Sequence, residues 1–366
     1  MRETVNPEWL TLARELRGMT QLELSKQSRI TQSKISRYEG GITDVDANDL
    51  TTLSHVLEFP AAFFCQTGHV YGAESTEIFN RRRKRVPARD LKRIHAFANL
   101  YRVGGARLSY AFEQVDKAEI PIMRPGDFEN VSDIAEAVRS LWNMPNGPVQ
   151  NLVAWLEYAS CLVHSFDFEI DKIDEVVHWV SPDPAVVLVN SSAPADRTRF
   201  SLAHALGHLV MHRDIAPYPE IEKEADEFAA AFLMPERDIL GSLAPVTIQH
   251  MLEMKQVWRV SMATLIRRAR DLGVVTQRRY SSLFQQLSRL GYRKREPRPF
   301  LHESPRLVKL LVDRHRSHLG FSNQELAEML MIRTEDFHSW YATPKVIALQ
   351  SDVVGDPDPD ADSATG

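Results

Sequence analysis

The histidine pair in His204-Ala-Leu-Gly-His208 constrains this chain more than any other feature. An α-helix turns once every 3.6 residues, so positions i and i+4 share a face. Two imidazoles on one face supply two of the three protein ligands of a catalytic zinc. Thirteen residues separate His208 from Glu222, which opens Glu222-Lys-Glu-Ala-Asp-Glu-Phe-Ala-Ala-Ala-Phe-Leu-Met-Pro235. Acidic and apolar positions alternate there at helical spacing, and the segment stops at proline, as helices do. Glu222 or Glu224 offers a third ligand, and spacing does not separate the two. Asp226 is placed to hold the distal nitrogen of a ligating histidine. His212 lies two turns beyond His204, about 12 Å at 1.5 Å per residue, and reads as helix-end solvation. A lone H-x-x-x-H pair more often marks two surface histidines. The acidic opening of the second segment tips the reading towards a metal site.

Arg197-x-Arg-Phe-x-Leu-Ala-His-x-Leu-Gly-His208, followed by Glu222-x-x-Ala-Asp-x-Phe-Ala-x-x-Phe-Leu-Met-Pro235, resembles the ImmA/IrrE-type metallopeptidases over roughly residues 150 to 275. The resemblance implies a cytoplasmic, zinc-dependent protease that cleaves a transcriptional repressor. It implies His204, His208 and Glu222 as ligands, and a general-base glutamate where Ala205 stands. Loss of such a base lowers rate by roughly 10²- to 10⁴-fold and leaves the metal in place. Glutamate to alanine is the usual way to silence such a site, so the chain reads as an inactivated form of a working protease. The rival is a non-catalytic transcription regulator whose pseudopeptidase domain is a sensor or scaffold.

A net charge of -5 excludes a wholesale nucleic-acid coat, so any DNA contact is local. Two isolated cysteines, Cys65 and Cys161, point to a reducing compartment. No apolar run approaches the ~18 residues that span a membrane, so a membrane partner is not expected.

Residues 1–66 read as five helices. Leu10, Ala13 and Leu16 give the first an apolar face. Thr20 and Glu23 form a capping box for a helix over Gln21–Gln27, and Thr31 caps a second over Gln32–Tyr38, ended by Gly40-Gly41. Two short helices joined by a three-residue turn are the mark of helix-turn-helix DNA binding. Thr20-Gln-x-Glu-Leu-Ser-Lys-x-Ser-x-Ile-Thr-Gln-Ser-Lys-Ile-Ser-Arg-Tyr-Glu-x-Gly41 resembles the lambda-repressor-like (Xre/Cro) domains. The resemblance implies that Gln32, Ser33, Lys34 and Ser36 face base edges of double-stranded DNA, while Gln21 and Arg37 contact phosphates. A homodimer is expected because such units read paired half-sites.

Residues 67–120 read as a connection. Arg81-Arg-Arg-Lys-Arg85 with Arg89, Lys92 and Arg93 makes a basic run, and Ile94, Phe97, Ala98, Tyr101 and Leu108 predict a long helix serving as a core strut. The peptidase-like domain is expected over 121–275, with three short strands at Cys161-Leu-Val-His164, Val176-Val-His-Trp-Val180 and Ala185–Asn190 before the H-x-x-x-H helix. Gly207 is expected to admit the sheet. Arg197 and Arg199 read as structural ion pairs, with oxyanion stabilisation the lesser alternative, and His178 is a transition-state donor by position only. Residues 276–345 read as a helical interaction module, with Thr334 capping a helix whose Glu335 and Asp336 would repel phosphate, and 346–366 as an acidic disordered tail. The fold class is therefore α+β, mostly α: a five-helix lambda-repressor-like domain, a zincin-like domain with a small three-stranded sheet, and a helical C-terminal module.

Overall fold

In the computed structural model, residues 4–72, 78–82, 86–112, 118–213, 215–216 and 218–342 are described; the acidic tail at 346–366 and residues 83–85 of the basic run lie outside them. The N-terminal helices are α1 (Pro7–Leu16), α2 (Gln21–Ser28), α3 (Gln32–Glu39), α4 (Ala47–Leu57) and α5 (Ala61–Phe64). Both expected caps are present: Thr20 and Glu23 form the capping box of α2, and the Thr31 side chain accepts from the Lys34 amide at the start of α3. Leu10, Leu24, Ile35, Leu53 and Phe63 close the core between these helices.

The middle of the chain runs β1 (Ile78–Arg82), α6 (Ala88–Tyr110), α7 (Val131–Leu141), α8 (Leu152–Tyr158), β2 (Leu162–Phe166), β3 (Ile173–His178), β4 (Val186–Asn190), α9 (Ala195–Met211) and α10 (Ile221–Leu233). The three expected strands form, and a fourth joins them. The sheet order is β1-β3-β4-β2, with β1/β3 and β3/β4 antiparallel and β4/β2 parallel. β1 comes from the connecting segment, where the basic run concealed a strand. β3 starts at Ile173, earlier than expected, because the acidic pair Asp174-Glu175 is buried within it. Alternation along the strands divides the sheet's residues between two cores. Val163, Val177, Val187 and Val189 pack with α9 and α10. Leu162, Val176, Val186 and Leu188 pack with α6 and, through it, with the N-terminal helices.

Helix α6 is a strut, as its periodicity suggests: Ile94, Phe97, Ala98, Tyr101 and Leu108 are all buried. Gly105 lets it lie on β2, since a Cβ there would collide with the Leu162 side chain. The chain continues through α11 (Glu236–Leu243), α12 (Ile248–Trp258), α13 (Met262–Asp271), α14 (Gln277–Arg289), α15 (Leu307–Leu319), α16 (Asn323–Leu330) and α17 (Thr334–Phe337). The expected C-terminal unit is split between the cores. Leu283 and Leu287 of α14 join the α9 side, whereas α15 to α17 join the α6 side. Arg333, not Thr334, is the N-cap of α17. Asp336 of α17 is 2.6 Å from Arg17 of α1, so its charge is used within the protein.

His164 on β2 stacks on Tyr101 of α6, ring centroids 3.8 Å apart, and burial pushes its pKa down to about 3. The unfolded chain takes up this proton near 6.5, the folded chain only near 3, so stability falls as pH drops below about 6.5. At pH 5 this linkage amounts to about 2 kcal/mol. His164→Phe keeps a ring on Tyr101 and is expected to remove most of that loss. Urea midpoints of both proteins at pH 8 and pH 5 check this; equal falls on acidification would contradict it.

Candidate metal centre and nucleic-acid interface

Helix α9 carries His204 and His208 on one face, with His212 following as its C-cap, and all three are buried. Helix α10 lies close against it because of Gly207. A Cβ at Gly207 would meet Phe228 at 3.2 Å and the Ala225 Cα at 3.3 Å, so the glycine admits α10, where the sheet was expected. A mid-helix glycine costs roughly 1 kcal/mol against alanine, offset here by the helix contact. With α10 this near, Glu222 in its first turn reaches back over the histidines. Its carboxylate oxygens are 3.4 Å from His204 Nε2 and 3.5 Å from His208 Nε2, and the two Nε2 atoms are 3.0 Å apart. All three donors lie within 4.8 Å of one another. The histidines are buried and Glu222 is 55% exposed, so the cluster opens along α10.

The hydrogen-bond network assigns the tautomers. His204 Nδ1 is 3.1 Å from Asp226 Oδ1; the carboxylate accepts, so the proton is on Nδ1 and Nε2 carries a lone pair. His212 Nε2 donates to Glu224 Oε2 at 3.0 Å, which leaves His212 Nδ1 to accept from His208 Nδ1 at 3.0 Å. His208 Nε2 then also carries a lone pair. Two lone pairs and a carboxylate converge with no proton between them, an arrangement that a cation satisfies. Ligands 2.0–2.1 Å from a tetrahedral zinc are about 3.3 Å apart, close to the separations here. Burial lowers the His208 pKa to about 4. His208 is therefore neutral at neutral pH and need shed no proton to take a metal.

His212 was expected to solvate a helix end. It is buried instead, and it links His208 to Glu224, to which the Tyr218 hydroxyl also donates. Burial lowers its pKa and keeps it neutral. Glu224 therefore serves His212, while Glu222 faces the cluster. The sequence reading also missed Glu175. This buried carboxylate on β3 lies 3.8 Å from His204 Nε2, and its signal was an acid inside an apolar strand. Ala205 is buried and brings no polar group. Arg199 pairs with Glu303 and donates to the Val149 carbonyl at 2.7 Å, a structural role. Arg197 is 3.9 Å from Asp174. His178 lies against Tyr71, on the α6 side of the sheet and away from the cluster.

On α3, Gln32, Ser33, Ser36 and Arg37 are exposed while Ile35 and Tyr38 are buried. Gln32 Nε2 donates to Gln21 Oε1 at 2.8 Å, and Gln21 Nε2 donates to Glu39 Oε2 at 2.9 Å, so α2 and α3 are tied at their outer ends. Lys34 is drawn back to Asp49 at 2.7 Å and Asp46 at 3.2 Å, and the Asp49 bond raises its pKa. The structure thus sets Lys34 apart from the four exposed residues.

Residues 156–270 match the M78 peptidase family, described as an IrrE N-terminal-like domain, and residues 10–64 match a helix-turn-helix family. Comparison with curated proteins gives no match. Among the described residues no helix is long and apolar enough to cross a membrane.

Gly207→Val is expected to push α10, with Glu222 and Asp226, away from α9. Zinc affinity measured by competition with a chelating dye should fall at least tenfold, the scale of losing ligand support. Circular dichroism should show the helices retained. Unchanged affinity would contradict the helix-approach account.

Proposed function

We propose that this chain, which joins a helix-turn-helix domain to an IrrE N-terminal-like domain, is a cytoplasmic DNA-binding regulator whose peptidase-like domain holds zinc on His204, His208 and Glu222. The observation that carries the reading is the convergence of two imidazole lone pairs and one carboxylate, 3.0 to 3.5 Å apart. Asp226 and the His212–Glu224 pair hold the two imidazoles in the tautomers that aim Nε2 at the cluster. Zinc, when bound, supplies Lewis acidity towards a peptide carbonyl. The parent activity is cleavage of a protein substrate, a transcriptional repressor or related regulator. Ala205 supplies no carboxylate to accept a proton, so this form is hydrolytically silent or severely impaired while its metal site stays complete.

On the DNA side, Gln32, Ser33 and Ser36 read base edges in the major groove, and Gln21 and Arg37 contact phosphates, with Lys34 released from Asp49 if it takes part. Two copies reading paired half-sites make the DNA-bound form a homodimer. The second reading, a regulator whose peptidase-like domain is a sensor or scaffold, is favoured by Ala205 itself.

Ala205→Glu separates the two. The zinc-loaded variant is expected to cleave a repressor or other protein in a cell extract that the Ala205 form spares, with a gain of at least 100-fold, the scale of a general base. A zinc-loaded, folded variant that cleaves nothing would leave the scaffold reading. Arg37→Ala should weaken DNA binding alike on all sequences and reduce the salt slope by about one. Unaltered salt dependence would remove Arg37 from the interface.

A further inference from the structure

The edge of the sheet nearest the candidate metal centre is occupied by the protein's own connecting segment. β1 pairs antiparallel with β3, placing Phe79 opposite Val177 and Arg81 opposite Glu175. Phe79 lies flat on the His208 ring, centroids 4.5 Å apart and planes 11° apart. A five-residue strand that enters the sequence far from the other three therefore covers one of the two histidines of the cluster.

It sits at the edge of the sheet. Among the described residues β1 has one strand partner, β3, and Phe79 is only partly buried against the core. The ladder slips between Arg81 and Arg82, which further limits the pairing. An edge strand of this kind is replaceable, because backbone hydrogen bonds supply most of the recognition and any extended chain can offer them. Specificity then lies in the side chain that faces the domain, here that of residue 79. At 79 the neighbour is an imidazole face, which an aromatic ring stacks upon.

We propose that the β1-covered edge of β3 is the protein-docking surface of this domain, that Ile78–Arg82 occupies it in cis, and that the partner is captured as an extended segment whose aromatic residue takes the place of Phe79 on the His208 ring. This deepens the reading of the domain as peptidase-like and names the kind of chain it grips. Capture requires β1 to leave, so the covered state is the closed one. β1 also lies between the DNA-binding helices and α6, which places the exchange on the path that joins the two domains.

The test uses a fluorescein-labelled synthetic peptide of residues 76–87 and the full chain, beside a variant with residues 78–82 replaced by Gly-Ser-Gly-Ser-Gly. Fluorescence anisotropy is expected to show the variant binding the peptide at least tenfold more tightly than the unaltered chain. A peptide with alanine at the Phe79 position should compete at least tenfold less well. Equal binding by both chains, or none by a folded variant, would overturn the proposal. Should the replacement fail to fold, Phe79→Ala in the full chain is expected to speed hydrogen exchange of the β3 amides at Ile173–His178 at least tenfold; unchanged exchange would overturn it equally. Zinc content measured on the same samples keeps the two readings apart. Peptide binding without zinc would sink the metal assignment and keep the docking edge, and zinc without peptide binding would do the reverse.

Discussion

The approach of α10 to α9 across Gly207 is the contact on which the candidate centre depends. Three acidic residues of α10 are useful only at that distance: Glu222 to the two Nε2 atoms, Asp226 to His204 and Glu224 to His212. Each imidazole is thereby held from behind by an acceptor or a relay and left bare in front. Such outer contacts fix ring orientation and tautomer, and so prepare a site before a metal arrives. Burial works in the same direction by keeping His208 neutral.

The second organising element is the sheet, which separates two cores while belonging to both. Its α9 face backs the candidate metal centre, and its α6 face is continuous with the core of the helix-turn-helix domain. Asp336 on Arg17, and Trp340 beside Phe59, close the C-terminal helices onto the N-terminal domain. The two domains are thus coupled through packed side chains, with no flexible tether needed between α6 and the sheet.

Much of this was legible from local pattern. Histidines four apart and acids opening the next helix are helix geometry, and Thr20, Glu23 and Thr31 are caps whose chemistry acts within three residues. What escaped was non-local. Whether His212 meets solvent or Glu224 depends on where the turn after α9 brings the chain back. Glu175 became part of the site only because β3 lies against α9, and β1 was hidden by arginines whose charge suggests a solvated loop. Gly207 was read correctly as a close approach, but the neighbour was a helix and not the sheet. Spacing identifies which residues share a face; it does not say what that face meets.

Elemental analysis of the purified chain after zinc loading and desalting, beside His204→Ala, tests the central claim most directly. About one zinc per chain, lost in the variant, is the predicted result for a site with three protein ligands. Absence of zinc from both, with both folded, would contradict the metal centre and leave a DNA-binding protein with an empty peptidase-like scaffold.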